Sequence, residues 1–201
     1  QAPTASEHWE AEQRPQLPQA PAEEPASGEP QAPIYIANAG LVLLAPFLER
    51  LFKNLGLTRD RAFVDDAARG KAIHCLEYLV WGHTDTPEPS WSLDRVLCGL
   101  PIARFVPPSP GLDESTSATL DSLLQAVIQH WKALGRTSIA GLRETFLARE
   151  GRLTRFSGES GEGWLLQVQE KAFDVLMDRL PWGISVIRLP WMEGVLHVEW
   201  H

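Results

Sequence analysis

The last stretch of the chain, residues 179–200 (RLPWGISVIRLPWMEGVLHVEW), limits the possible folds more than any other segment. The tetrapeptide Arg-Leu-Pro-Trp occurs in it twice, at residues 179–182 and 188–191. Because proline fixes φ and has no N–H to donate, each copy is expected to interrupt regular structure at the same relative position. Residues 184–189 and 195–200 are rich in β-branched and aromatic residues, so the segment predicts two strands that form a hairpin.

The two strands of this hairpin differ in their apolar pattern. In the second strand, Leu196, Val198 and Trp200 fall on one face, because successive side chains of a strand point to opposite sides of a sheet. That alternation predicts a half-buried strand. The strand at residues 184–189 has apolar residues on both faces, which predicts an interior position in the sheet.

A second hairpin is predicted upstream. Residues 152–156 and 164–168 flank a glycine-rich turn at residues 157–163 (SGESGEG). Between the two hairpins, residues 170–180 carry apolar residues at helical spacing and predict a helix. The residues expected on its inward face are Phe173, Leu176, Met177 and Leu180.

Five helices are predicted before the first hairpin, from apolar residues three and four positions apart and from capping residues at the ends. Their predicted bounds are Pro46 to Gly56, Asp65 or Asp66 to Gly82, Ser90 or Ser92 to Leu100, Asp113 to Leu134, and Ser138 to Gly151. Helices first and strands last indicate an α+β fold. We expect the N-terminal helices to pack against a C-terminal antiparallel sheet of two hairpins separated by a helix.

The first 33 residues differ from the rest in composition. They hold seven of the sixteen prolines and six glutamates, with Arg14 as the single base. A segment with so few large apolar residues cannot bury enough surface to offset the entropy of ordering it. Residues 1–33 are therefore predicted to be a disordered, Pro-rich acidic linker, and residues 34–201 to form one α+β domain.

The charge pattern disfavours several classes of partner. The net charge is -8, and acids and bases are interspersed beyond the linker without a basic stripe, so nucleic-acid binding is not expected. The longest apolar run, residues 39–44, is too short to cross a bilayer, so membrane insertion is not expected. No signal peptide is visible, but the chain begins with Gln1 rather than Met, so this observation does not identify the compartment. Two cysteines, Cys75 and Cys98, are typical of a reducing compartment.

The glycine-rich turn invites two enzymatic interpretations, and its sequence fits neither. Gly158-Glu-Ser160-Gly161 lacks the second spacer of the G-x-S-x-G nucleophile motif. Gly161-Glu-Gly163 leads into a strand rather than a helix, unlike a dinucleotide-binding loop. A hairpin tip is the better interpretation. A small hydrolase that uses Ser160 or His130 is a further hypothesis, which requires those side chains to meet a carboxylate.

Metal and acid–base chemistry are also disfavoured. On a helix, His74 and Cys75 point about 100° apart, and His83 lies beyond the expected helix end, so the three cannot easily converge on zinc. Asp65 and Asp66 stand at a helix start, where capping explains them. No catalytic residue, cofactor or metal site is predicted.

Four residues are candidates for contact with a partner protein. Trp182 and Trp191 follow the proline of the two repeated tetrapeptides, and aromatic residues are enriched at interfaces. The alternative is that both indoles fold back over the sheet. Pro107 and Pro108 belong to a stiff, proline-rich connector that could also be exposed to a partner.

A series of segments from residue 34 to residue 200 resembles the tape measure protein family of contractile injection systems. The segments are YIANAGLVLLAPFL at 35–48, FVD at 63–65, LEYL at 76–79, VLCGLP at 96–101, AVIQHW at 126–131, GLRETF at 141–146, REGRL at 149–153, LPWGIS at 180–185, LPW at 189–191 and LHVEW at 196–200. The linker at residues 1–33 carries no part of the resemblance.

The resemblance implies a structural role without enzymatic activity. A tape measure protein lies in the growing inner tube of a phage-tail-like particle, and its length sets the length of the tube. A folded domain cannot be the ruler itself, so we expect residues 34–201 to be the C-terminal anchoring domain and the linker to be its tether. The implied partners are copies of itself, spike, hub or baseplate proteins, and inner tube subunits.

The resemblance also implies where the protein acts. Assembly is expected in the bacterial cytoplasm, with the lumen of a released extracellular particle as a later location. A cargo adaptor or chaperone of the same particle is the alternative function.

Overall fold

The four predicted strands and one further strand assemble into a five-stranded sheet in the computed structural model, which describes residues 32–158 and 161–200. Its strands are, in sheet order, β1 (Ile34–Ile36), β4 (Gly151–Gly158), β5 (Gly161–Val168), β7 (Val195–Glu199) and β6 (Val186–Ile187). A separate two-stranded ribbon pairs β2 (Thr58–Arg59) with β3 (Ala62–Phe63). The predicted linker falls almost wholly outside the described residues and stays a prediction.

Helices precede and cover the sheet, so the α+β class is confirmed. The α-helices are α1 (Ala45–Asn54), α2 (Asp66–Trp81), α3 (Ser92–Leu97), α4 (Glu114–His130) and α5 (Ile139–Leu142), which continues as a π-helical turn, Arg143–Leu147. Four 3₁₀ helices of the described residues lie at Ala39–Leu44, Glu88–Trp91, Lys132–Leu134 and Ala172–Arg179. The predicted caps of α2 are confirmed: Asp65 accepts the N–H of Ala68 at 2.7 Å, and Gly82 has φ of 78°.

Two adjacent rows of side chains fix the register of β4, β5 and β7. The buried row is Leu153, Leu166 and Val198. The next row lies on the opposite face and consists of Arg152, Gln167 and Glu199. In this polar row the arginine donates to the glutamine at 2.9 Å, and the glutamine donates to the glutamate at 2.7 Å. A slip by one residue would exchange the two faces, so the alternation specifies the pairing.

The 3₁₀ helix Ala39–Leu44 lies at the centre of the core, with all six residues buried. Gly40 packs against the π-helical turn so closely that a Cβ there would lie 1.7 Å from the carbonyl oxygen of Phe146. The N–H of Ala39 donates to the carbonyl of Arg149 at 2.8 Å. These contacts join the first described segment to the chain just before β4.

The sheet is mixed, which corrects the prediction of an antiparallel sheet. β4 and β5 form the first hairpin and β6 and β7 the second, but β5 and β7 run parallel. Residues 169–185 connect β5 to β6 and are long enough for the crossover that a parallel pair requires. As a result, β7 lies between β5 and β6 in the sheet. Gly163 and Gly194 allow β5 and β7 to lie close together at this end of the pair. A Cβ on Gly163 would lie 2.7 Å from the carbonyl oxygen of Val195, and a Cβ on Gly194 would lie 2.6 Å from that of Glu162.

The strand predicted in the interior is an edge strand. β6 has two paired residues, and the Val186 side chain is 59% exposed. β7 takes the interior place because it is longer and presents Leu196 and Val198 to the core. β1 pairs with β4 at the other edge, and neither this pairing nor the β2–β3 ribbon was predicted.

Two helix predictions are also corrected. The helix expected to reach Leu134 ends at His130, because Trp131 leaves the helical region with φ of -88° and ψ of 78° and buries its indole. Residues 172–179 form a 3₁₀ helix, and Phe173 is 61% exposed rather than inward. Its neighbour Asp174 points inward to Arg149, which turns Phe173 outward.

No helix among the described residues is both long enough and apolar enough to cross a membrane.

Candidate docking groove

A groove of about 640 Å³ lies between the first half of α2 and the connector at residues 100–112. The predicted contact residues Pro107 and Pro108 are exposed in its wall, beside Phe105, whose side chain is 68% exposed. Its other lining residues are Asp66, Ala67, Gly70, Lys71, His74, Leu100, Arg104, Val106, Ser109, Pro110, Gly111 and Leu112. An exposed aromatic ring among prolines is a surface suited to contact with another polypeptide.

Buried groups hold the connector in place under the groove. Val106 is buried beneath it. The ring of His74 places Nε2 2.9 Å from the carbonyl oxygen of Pro107 and Nδ1 3.2 Å from Glu77. The buried Arg95 donates through Nε to the carbonyl of Arg104 at 3.1 Å. The groove wall is therefore positioned by side chains from α2 and α3.

Charged residues at the sides of the groove are paired. Arg104 lies 3.3 Å from Asp66, and Lys71 lies 3.2 Å from Asp113. The hydroxyl and N–H of Thr116, together with Lys71, hold the pKa of Asp113 well below its usual range. The two ion pairs flank the apolar middle of the groove. The groove therefore offers apolar contact area without an excess of positive or negative charge.

Trp182 lies at a different part of the surface. Its side chain is half-buried, and its Nε1–H donates to the carbonyl of Leu43 at 3.0 Å. Phe47 packs edge-on against it at 5.0 Å between ring centroids, and the exposed His130 stacks on it at 5.7 Å. Trp182 is therefore fixed to the domain by this hydrogen bond, while part of its indole ring stays accessible to solvent.

Trp191 lies inside the domain. Its Nε1–H donates to the carbonyl of Leu97 at 2.8 Å, and its ring contacts Phe52 and Phe63 at centroid distances of 5.6 Å and 5.0 Å. The two tryptophans and the two prolines therefore do not form one site. Their roles in partner binding stay predictions.

Residues 1–200 match the sequence profile of the family described as "Contractile injection system tape measure protein". The chain belongs to this family. The match includes residues 1–33, which corrects the expectation that the linker carries no resemblance. Neither the curated proteins nor the solved structures contain a significant match to the chain.

The residues considered for catalysis that lie in the described part of this tape measure family member have structural contacts of their own. Ser160 lies outside the described residues, and His130 is exposed and stacked on Trp182. Asp65 caps α2, as expected. Nothing in the described geometry favours the hydrolase hypothesis.

The cysteine and histidine residues considered for metal binding have structural places. Cys75 is fully buried, and burial raises the pKa of its thiol to about 12. His74 is engaged by Glu77 and the connector. Among the described residues, no group of three or more His, Cys, Asp or Glu side chains is arranged to hold a metal ion.

Sequence patterns missed the buried polar residues that hold this family member together. Asp94 and Arg95 are buried in α3, and Arg149 is buried at the end of the π-helical turn. The one signal for the first two is their position inside an apolar run, between Leu93 and Val96. Charged residues are almost never fully buried without a partner, so such a position predicts a polar contact without naming it.

Proposed function

We propose that residues 34–201 form the domain that anchors a tape measure protein at one end of the inner tube of a contractile injection system. The role is structural and directs assembly. Family membership supports a tape measure role, and the shape of the described domain supports the anchor.

The observation that carries the proposal is the short extent of the folded elements. The longest helix among the described residues, α4, has 17 residues, which at 1.5 Å per residue is about 26 Å. A ruler needs a chain whose length grows in proportion to its residues, as in a long helix or an extended segment. Helices and strands folded back on one core do not provide that, so this part of the chain suits attachment rather than measurement.

The groove beside Phe105, Pro107 and Pro108 is the proposed contact surface of this anchor, and the half-buried Trp182 is a second proposed contact. The proposed partners are spike, hub or baseplate proteins, inner tube subunits, and other copies of the chain. Assembly in the bacterial cytoplasm and later residence in the lumen of a released particle follow from the same role.

Tube length measured by electron microscopy tests the ruler-plus-anchor arrangement. The region on the N-terminal side of Ile34 would be shortened and lengthened in the complete gene, with residues 34–201 unchanged. Tube length should change by about 1.5 Å per residue for a helical ruler or about 3.3 Å for an extended one. A shuffled linker of unchanged length is the control and should leave tube length unaltered.

The anchor surface is tested by two matched substitutions. Phe105→Glu places a charge in the groove, whereas Phe173→Glu changes an equally exposed phenylalanine elsewhere, since the two side chains are 68% and 61% exposed. Both variants should keep their stability within about 0.5 kcal/mol. Phe105→Glu should reduce the yield of particles with tubes of defined length, while Phe173→Glu should not.

Constant tube length in every linker variant, combined with disturbed cargo loading in Phe105→Glu, would contradict the anchor and favour the cargo-adaptor alternative. Equal behaviour of the two phenylalanine variants would remove the groove as the contact surface.

A further inference from the structure

Asp94 is a buried carboxyl that joins two distant parts of the chain. It lies in α3, and its side chain has no exposed surface. Nδ2–H of Asn38 donates to Oδ2 of Asp94 at 2.7 Å. Asn38 lies between β1 and the central 3₁₀ helix, so this one contact connects the sheet edge and the core to α3.

Each of the two side chains also holds an oxygen without a partner. Oδ1 of Asn38 and Oδ1 of Asp94 are both buried and accept no hydrogen bond from any of the described residues. An ionised aspartate and an amide oxygen are both acceptors, so these two atoms cannot bond to each other as they stand. Two buried acceptors on an already bonded pair require an explanation.

We propose that Asp94 carries a proton in the folded protein and donates it from Oδ1–H to Oδ1 of Asn38. The amide nitrogen and oxygen sit on one carbon, as do the two carboxyl oxygens, so the two hydrogen bonds can form side by side. A single proton thereby satisfies both acceptors and turns the contact into a cyclic acid–amide pair. The pair is a proton-binding site in the core.

The surroundings of Asp94 favour the neutral acid. Burial raises the pKa of Asp94 to about 7, and the charge of Glu77 on α2 acts in the same direction. The hydrogen bond from Asn38 and the charge of Arg95 oppose the rise. Cys98 directly follows α3, and its backbone N–H donates to the carbonyl of Asp94 at 2.9 Å. Its thiol stays neutral because burial raises the pKa of that thiol well above its usual value.

The proton links stability to pH. The pKa of Asp94 is about 7 in the folded protein and near 3.8 when the carboxyl is unperturbed. A carboxyl with a raised folded-state pKa contributes stability that is fully present below the unfolded value. That contribution is lost as the pH rises from about 4 to about 7, where the folded state releases its proton.

Carbon-13 NMR of the side-chain carboxyl of Asp94 in the full chain measures the protonation directly. The titration midpoint should lie near pH 7. A midpoint below about 5 would overturn the proposal, since Asp94 would then be ionised at neutral pH with its free oxygen satisfied in another way, for instance by a water molecule.

Three variants give a second, independent measurement. Asp94→Asn keeps both hydrogen bonds, because its amide N–H donates to Oδ1 of Asn38 and its amide oxygen accepts from Nδ2–H. Asp94→Leu has a similar size and keeps neither bond. Asp178→Asn, at an exposed aspartate, is the control.

Between pH 5 and pH 8 the Tm of Asp94→Asn should rise by about 5 °C relative to the wild type, because the wild type loses the contribution of its proton over this range and the variant cannot ionise. Asp94→Leu should lie below Asp94→Asn at both pH values. Asp178→Asn should differ from the wild type equally at both. If Asp94→Asn is less stable than the wild type by the same amount at pH 5 and pH 8, the acid–amide pair does not exist.

Discussion

At the scale of single residues, two positions in the core admit almost no change. Gly40 is packed against the Phe146 carbonyl, and the guanidinium of Arg149 is bound by a carboxylate and two backbone carbonyls. Glycine is required at the first because any side chain would overlap backbone atoms. Arginine is required at the second because its charge is paired with Asp174 and its two terminal nitrogens donate to that carboxylate and to two backbone carbonyls.

Gly40→Ala should lower the free energy of unfolding by about 3 kcal/mol, because the backbone of the 3₁₀ helix or of the π-helical turn must shift to admit a methyl group. Urea denaturation followed by circular dichroism measures the loss. Gly183→Ala is the matched control, since a Cβ there meets no atom within 4 Å. Similar midpoints for the two variants would contradict the close packing.

At the scale of elements, α4 depends on the cap at its N-terminus. Asp113 accepts the N–H of Thr116 at 2.8 Å and its hydroxyl at 2.7 Å. These bonds hold the pKa of the Asp113 carboxyl well below its usual value near 3.8. A carboxyl with a lowered folded-state pKa contributes stability above the unfolded value, and that contribution is lost as the pH falls further.

Asp113→Ala should therefore be less stable than the wild type at pH 7, and the difference should shrink as the pH falls below about 4. Thermal unfolding at several pH values measures it. Glu114→Gln changes the next acid, which is not the N-cap, and should give a smaller difference that depends less on pH. A difference for Asp113→Ala that is independent of pH would show that the ionised carboxyl is not the stabilising group.

At the scale of the whole molecule, Arg149 connects the helical part to the end of the chain. Its guanidinium donates to Asp174 at 2.8 Å, to the carbonyl of Gln169 at 3.0 Å and to the carbonyl of Thr145 at 2.7 Å. It also lies 5.2 Å from the ring centroid of Trp200. The π-helical turn, the crossover segment at residues 169–185 and Trp200, which follows β7, therefore all contact one buried cation.

Arg149→Leu should lower the free energy of unfolding by about 3 kcal/mol, because it removes the cation paired with Asp174 and the donor to two backbone carbonyls. Guanidinium denaturation monitored by tryptophan fluorescence measures the effect. Arg188→Leu, at an exposed arginine, is the control and should change stability by less than about 0.5 kcal/mol. A loss of under 1 kcal/mol in Arg149→Leu would contradict a connecting role.

The sequence by itself determined the α+β class, both hairpins, the ends of α2 and the core face of β7. These features depend on contacts between near neighbours: alternating side chains, a cap three residues away, a glycine after the last turn. The stiff connector with Pro107 and Pro108 was predicted in the same way, from its closely spaced prolines. Family membership was also carried by the sequence.

The tertiary structure alone decided which strand lies in the interior, where Phe173 points and how the groove forms. β6 became an edge strand because the crossover brought β7 against β5, which a strand's own pattern cannot reveal. Phe173 turned outward because Arg149, distant in sequence, holds Asp174. The pair between Asn38 and Asp94 and the seating of the connector on His74 also join residues far apart in the chain. Such contacts follow from the complete packing, since each needs a partner that local sequence does not specify.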